Sequence, residues 1–308
     1  MKKIDLNEDG NPLRVAILLA TYNGISFIEE QLATLFSQNN IAIKVFASDD
    51  GSEDGTFQYL QAINSSNFCL LPLKISGSAA GNFYRLIKDV DLSCFDYVAL
   101  CDQDDIWLPD KIFRAITAMS DNKCEAYSSN LTAFDSRANK IWTIKKNYNQ
   151  KKLDYIFQGA SAGCTYVFSA RLALYIREKL LALPSESIKT SSHDWLIYAL
   201  ARSGDFNWHF DPDSYIQYRQ HSSNVYGASS GFRGLIGKFK LALSGWYKNN
   251  IIFTLSIVNN LDYEKKVHSA LLSNNIIDKF WLLSQVRNFR RKSSDQLWLA
   301  IIILFGIL

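Results

Sequence analysis

At 308 residues, 48% hydrophobic and 20% charged, the chain has the size and composition of a globular protein with one large domain or one and a half. Its five cysteines are odd in number and include no CxxC pair, which argues against a disulfide framework or a zinc site and fits a reducing cytoplasm. The net charge of +3 hides an asymmetry: residues 231–308 hold eleven Lys/Arg against four Asp/Glu, so a basic segment follows a mildly acidic body.

The N-terminal MKKIDLNEDGNP has two lysines but no apolar stretch behind them, so no signal peptide is expected. Residues 14–20 (RVAILLA) form a continuous apolar run, the mark of a buried parallel strand. A polar turn, Thr21-Tyr22-Asn23-Gly24, leads into apolar residues at helical spacing over 27–37. A β-rich stretch at 41–47 runs into Ser48-Asp49-Asp50-Gly51-Ser52, followed by a helix over 56–63, a strand over 70–75 and a helix over 82–88. Residues 97–100 read as the next strand. This alternation predicts an α/β fold, a mostly parallel sheet flanked by helices with right-handed crossovers. Beyond residue 120 the pattern loosens, with strands expected near 127–134 and 165–168 and a helix over 192–201. Past residue 230 the chain reads as amphipathic helices with Lys, Arg and Trp on their polar faces. Two parts follow: 1–230 as the ligand-binding body and 231–308 as a helical segment.

The segment LCDQDDIWLP at 100–109 is the most informative. Asp102, Asp104 and Asp105 follow a buried strand directly, at the sheet edge where open α/β folds bind ligands. Carboxylates so close repel one another and call for a cation or a bound partner. The alternative is a solvated acidic turn with Asp110 capping the next helix. Asp49-Asp50-Gly51-Ser52 can likewise be a plain strand-to-helix turn, and Asp194 an N-cap, a role also open to Ser191 and Ser192.

Taken in order, the segments AILLATYNGISFIEEQLATLFSQ, ASDDGSEDGT, ALCDQDDIWLPDKI, SSHDWLIYALA and YRQHSSNVYG resemble the family 2 glycosyltransferases of the A-type fold, within the rhamnosyltransferase-like branch. The resemblance covers about residues 12–227 and leaves the C-terminal segment outside it. It implies that Thr21, Tyr22 and Asn23 line a nucleotide pocket and that Asp49 and Asp50 hold the base and ribose. Asn82 is a weaker nominee near the donor sugar, and also suits a helix N-cap. Asp104 matches the last acid of the family's metal and diphosphate motif, with Asp102 and Asp105 beside it, so Mg²⁺ or Mn²⁺ is the implied cofactor. His221 is implied as a further metal ligand or phosphate partner, and Arg219 as a charge on the diphosphate. The residues at 224–231, rich in small side chains, are implied to move over the site. Asp194 matches the catalytic base of an inverting transfer.

The implied activity is transfer of a sugar, with rhamnose from dTDP-rhamnose as the indicated donor, from a nucleotide diphosphate to a cell-surface glycan such as O-antigen. The basic, apolar-ended C-terminal segment suits an acceptor on a lipid diphosphate and a peripheral site at the inner face of the cytoplasmic membrane. Its last twelve residues are too few to span a bilayer, which needs about 20. No nucleic-acid partner is indicated. The alternatives are a UDP- or GDP-sugar donor, or a sugar-nucleotide nucleotidyltransferase, against which the lack of a basic residue in Thr21-Tyr22-Asn23-Gly24 argues. A dinucleotide-binding dehydrogenase lacks its GxGxxG after the first strand.

Overall fold

The computed structural model describes residues 12–135, 138–184, 192–221, 231–258, 261–273 and 275–308. The N-terminal residues, Ser191 and nearly all of the 224–231 loop lie outside them.

A seven-stranded sheet forms the centre. Its order is β3 (Phe68–Leu70), β2 (Ala42–Asp49), β1 (Arg14–Thr21), β4 (Tyr97–Cys101), β9 (Val167–Ser169), β6 (Ala126–Ser129) and β10 (Trp208–Asp211). All neighbours run parallel except β9, which is antiparallel to both β4 and β6. β1 shows why the sheet is buried on both sides. Its Val15, Ile17 and Leu19 face one core with α1 (Ile28–Phe36) and α4 (Lys111–Asp121), and its Ala16 and Leu18 face another with α3 (Ala79–Asp89) and α6 (Ala170–Leu181). Period-two alternation with apolar residues at every position gives two covered faces.

Three sequence expectations change. The strand expected over 70–75 ends at Leu70, because Pro72 offers no N–H to a ladder, and Arg85 of α3 takes the carbonyls of Pro72 and Lys74 instead. The stretch 127–134 is two strands, β6 and β7 (Leu131–Asp135), divided at Asn130. Its buried amide donates to Pro212 O at 2.6 Å and accepts from Lys146 N at 2.6 Å and Asn147 N at 3.0 Å, which turns the chain out of the first sheet. Helix α3 is capped by Ser78, whose hydroxyl accepts from Gly81 N, and Asn82 lies buried within the helix.

A second sheet, in the order β5-β11-β7-β8, joins β7 to three strands that the sequence pattern does not show: β5 (Ile106–Trp107), β11 (Ile216–Arg219) and β8 (Lys140–Ile144). Its strands are short and partly polar, with too few residues to show a period. β11 pairs with β5 antiparallel, which carries the chain around residue 219 alongside the acidic turn at 102–105.

The C-terminal segment forms α8 (Gly231–Leu243), α9 (Trp246–Val258), α10 (Asp262–Leu272), α11 (Ile276–Phe289) and α12 (Ser293–Leu304). Its tryptophans face inward rather than outward. Trp298 is buried against Tyr247 at 5.0 Å, and Trp246 lies half-buried edge-on to Trp195 of α7 (His193–Ser203). The aromatic rings are large enough to close the core from this side. Tyr247, Ile251, Leu255, Phe289 and Trp298 belong to the same core as Leu18, Phe83, Phe157 and Trp195. No helix among the described residues is long and apolar enough to cross a membrane.

Because that core is continuous, a chain cut after residue 230 loses one wall of it. The expected result is a melting midpoint at least about 10 °C below that of the full chain, or loss of soluble protein. Thermal circular dichroism of the two chains decides this, and equal midpoints would contradict the shared core.

Candidate active site

The carboxyl ends of β1, β2 and β4 lie side by side, and the loops that leave them are tied to one another. Thr21, the last residue of β1, donates its hydroxyl to Asp49 Oδ2 at 2.8 Å. Asp49 also accepts from Ser52 Oγ at 2.6 Å, Ser52 N at 2.8 Å and Gly51 N at 3.1 Å, so its buried carboxylate closes the turn after β2. Asp50 Oδ1 accepts from the amides of Ser76 and Gly77, fastening the 71–77 stretch to the same edge. Asn82 donates to Ser48 O at 2.7 Å and Thr21 O at 3.3 Å, tying the ends of β1 and β2 from below. Asn23, at positive φ, accepts from Glu53 N at 2.9 Å, and its own N–H reaches Ser52 Oγ at 2.8 Å. The Tyr22 ring stays exposed.

Gln103 joins the loop after β1 to the acidic turn. It accepts from Tyr22 N at 2.8 Å and donates to Tyr22 O at 2.9 Å, as a strand partner would. Gly24 is required beside it, since a Cβ there would lie 2.2 Å from Gln103 Oε1. The role of Gln103 is invisible as spacing, although the residue sits inside the acidic motif.

The three acids of that turn separate into two groups. Asp104 Oδ2 meets His221 Nε2 at 2.8 Å, and the His221 ring stacks on Phe27 at 4.8 Å. Asp102 and Asp105 converge with Cys164, their ligating atoms all within 4.8 Å of one another. Burial and the repulsion of Asp104 and Asp194 push the Asp102 carboxyl up to about 7. Burial, then Asp104 and Asp102, drive Asp105 well above the carboxylate range. Asp105 Oδ1 accepts from Arg219 N at 3.2 Å, whereas Oδ2 is buried without a partner among the described residues.

Two crowded carboxylates, one with an orphaned oxygen, fit a hard divalent cation, which would lift the repulsion and take oxygen ligands. Asp104 and His221 adjoin them as a second pair. The Cys164 thiol, pushed up by burial, suits a protonated donor to Asp105 better than a ligand for Mg²⁺. Behind the pair, the ammonium of Lys111 is buried 3.4 Å from the Trp107 ring centroid, and burial lowers its pKa to about 8. The parts played by Lys111 and Cys164 beside these acids do not show without the fold.

Arg219 arrives beside the turn but faces away from open solvent. Its guanidinium pairs with Glu30 at 2.5 Å, donates to Asp104 O at 2.9 Å and lies over Phe27 and Phe134. Asp194, second residue of α7, is close enough to raise the pKa of Asp102. Its Oδ1 accepts from Ser192 Oγ and from Trp195 N at 2.8 Å, while Oδ2 accepts no hydrogen bond from the described residues. His193 is half-buried, its ring stacked on Phe83 at 4.2 Å. The fold therefore brings Asp194 to the acidic turn across about 90 residues of sequence.

Residues 16–181 match the glycosyl transferase family 2 description. The chain is 33% identical over 298 residues to the dTDP-rhamnosyl transferase RfbG of Shigella flexneri, covering 94% of this chain and 100% of that protein. It is 28% identical to the UDP-Glc:alpha-D-GlcNAc-diphosphoundecaprenol beta-1,3-glucosyltransferase WfaP of Escherichia coli, over 35% of this chain and 42% of that one. Among solved structures it resembles S. aureus TarS 1–349 in complex with UDP-GlcNAc, with TM-score 0.59 and 15% identity over 96% of this chain and 80% of that one.

Raised carboxyl pKa values have a sign that can be read. Between the ordinary value of 3.8 and about 7 the folded chain holds a proton at Asp102 that the unfolded chain has released. Metal-free stability therefore falls as pH rises through that window. A cation needs the ionised form, so the rise in melting midpoint on adding Mn²⁺ should be larger at about pH 8 than at about pH 6. Asp105→Asn should remove most of the Mn²⁺ response and relieve part of the apo instability at the higher pH. Thermal-shift measurements read both, and an Mn²⁺ effect equal at the two pH values would refute the site.

Proposed function

Because the chain belongs to glycosyl transferase family 2 and is a glycosyltransferase, we propose that it moves rhamnose from dTDP-rhamnose, with inversion, onto a lipid-linked glycan in cell-surface polysaccharide synthesis. The observation that carries the reaction is the meeting of Asp194 with the acidic turn at 102–105. A base for the acceptor thus stands beside groups suited to a departing diphosphate. The donor rests on the match to a dTDP-rhamnosyl transferase along nearly the whole chain.

In the proposed reaction Asp194 Oδ2 takes the proton of an acceptor hydroxyl while Oδ1 stays tied to Ser192 and Trp195. The freed oxygen attacks the anomeric carbon from the face opposite the diphosphate. The bond from that carbon to the diphosphate oxygen breaks, and the nucleoside diphosphate departs. Asp102, Asp104, Asp105 and His221 would hold Mg²⁺ or Mn²⁺, which neutralises charge on the leaving group when bound. The nucleoside lies in the cleft of Thr21, Tyr22, Asn23, Asp49, Asp50 and Asn82. Most of these shape the cleft through mutual bonds. The Tyr22 ring and Asp50 Oδ2, which takes no hydrogen bond from the described residues, are the groups left to contact it. Arg219 holds the acidic turn to Glu30 and helps to fix its charge.

The acceptor reading draws on the lipid diphosphate in the printed name of WfaP and on the basic balance of 231–308. It also draws on an exposed apolar end of the segment. Ile276, Ile277 and Phe280 open α11, Leu304 and Phe305 close α12, and all are more than half exposed. Lys279 Nζ lies 3.8 Å from where a Gly306 Cβ would stand, so these residues share one end of the helix pair. Apolar side chains beside lysines suit the face of an anionic bilayer.

Asp194→Asn should fold normally, bind dTDP-rhamnose and lose at least about 100-fold in transfer. Near-normal turnover would overturn the base assignment. In a thermal-shift panel of dTDP-, UDP- and GDP-sugars, dTDP-rhamnose should give the largest stabilisation, and a larger shift with a UDP- or GDP-sugar would replace the donor. Phe280→Ser with Phe305→Ser should abolish flotation with phosphatidylglycerol vesicles without lowering the melting midpoint, and unchanged flotation would exclude this surface.

A further inference from the structure

We infer that the C-terminal segment completes the catalytic base, with Asn250 of α9 acting through Ser192 as a positioning residue for Asp194. The inference rests on the reading of Asp194 as the base, and it concerns residues outside the span matched to the family at 16–181.

Asn250 is buried, and both ends of its amide are used. Its Nδ2 donates to Trp246 O at 2.9 Å, so its Oδ1 faces Ser192 and accepts from Ser192 N at 3.1 Å. Ser192 is the N-cap of α7, but its hydroxyl makes no cap bond to the helix and instead donates to Asp194 Oδ1. One backbone N–H of Ser192 thus anchors it to α9, and its side chain anchors the carboxylate. Trp195 N supplies the second donor to the same oxygen. A carboxylate with one oxygen held by two donors has a fixed plane, which leaves its other oxygen aimed in one direction.

The same segment braces the far side of Asp194. Arg291, between α11 and α12, donates to Gly159 O at 2.5 Å and Ala160 O at 2.8 Å. The amides of Ala160 and Ser161 donate to the Tyr166 hydroxyl at 2.9 and 3.2 Å, and that hydroxyl donates to Asp194 O at 3.1 Å. Gly159 packs so closely on α7 that a Cβ would lie 3.3 Å from Trp195 Cα. Residues after 230 therefore hold the side chain of Asp194 through Ser192 and its backbone through Ala160 and Tyr166.

Losing a donor to Asp194 Oδ1 frees the plane of the carboxylate, which harms the transfer step more than the binding of a donor sugar nucleotide. The experiment is turnover of dTDP-rhamnose by the full chain. Ser192→Ala and Asn250→Ala should each lower kcat by about tenfold or more with the donor KM changed less than about twofold, and Ser192→Thr should restore kcat.

A kcat unchanged in both alanine variants would overturn the inference while leaving the base reading intact. Full turnover by Asp194→Asn would instead remove the base reading, whatever the Ser192 and Asn250 variants show. Asn250 is buried and Ser192 only partly so, and Ser192→Ala keeps the test available if Asn250→Ala does not fold.

Discussion

Three carboxylates leaving one buried strand within four positions set the terms for everything packed around them. Ionised together in a half-buried edge they would repel strongly, and each is met by a different compensation. Asp104 has the imidazole of His221. Asp105 has the amide of Arg219 and the field of the buried Lys111 ammonium. Asp102 has the Cys164 thiol beside it, and burial with the neighbouring carboxylates still raises its pKa to about 7. A second small sheet delivers two of these partners, since β11 pairs with β5 and so carries Arg219 and His221 to the turn. The electrostatics of the acidic turn and the topology of the second sheet are one arrangement.

That arrangement separates two chemical tasks that both call for carboxylates. The acids after β4 crowd together, which suits a cation and a polyanionic leaving group. Asp194 is held differently, with one oxygen bound by neutral donors and the other accepting no hydrogen bond from the described residues. In the proposed reaction the two sets of carboxylates serve different steps, and the effect of Asp194 on the Asp102 pKa shows that they lie close together.

Much of the first half was legible in the sequence, because its signals are local. The apolar run at 14–20 and the strand after Phe95 were read to within one residue of β1 and β4, since a buried parallel strand needs apolar residues at every position. The acids at 49–50 and 102–105 announced themselves by following those strands. What they bond to did not, and Asp49 spends its carboxylate on four donors from the end of β1 and the turn after β2. The short strands β10 and β11 left too few residues for a period, and the tryptophans of 231–308 were placed outward because helical spacing does not say which neighbour waits on which face.

By itself the sequence determined the strand-helix alternation, the position of its acidic turns and the order of motifs that marks the family. These depend on residues close in the chain, where propensity and periodicity act. Only the tertiary structure decided which acids share a site, which side chains already have partners, and that the helices after residue 230 belong to the same core as the strands. Those facts depend on contacts such as Asn250 with Ser192 and Arg291 with Gly159, separated by 58 and 132 residues. A contact across such a distance leaves no local pattern, because either partner alone is an ordinary polar residue on an ordinary helix or loop.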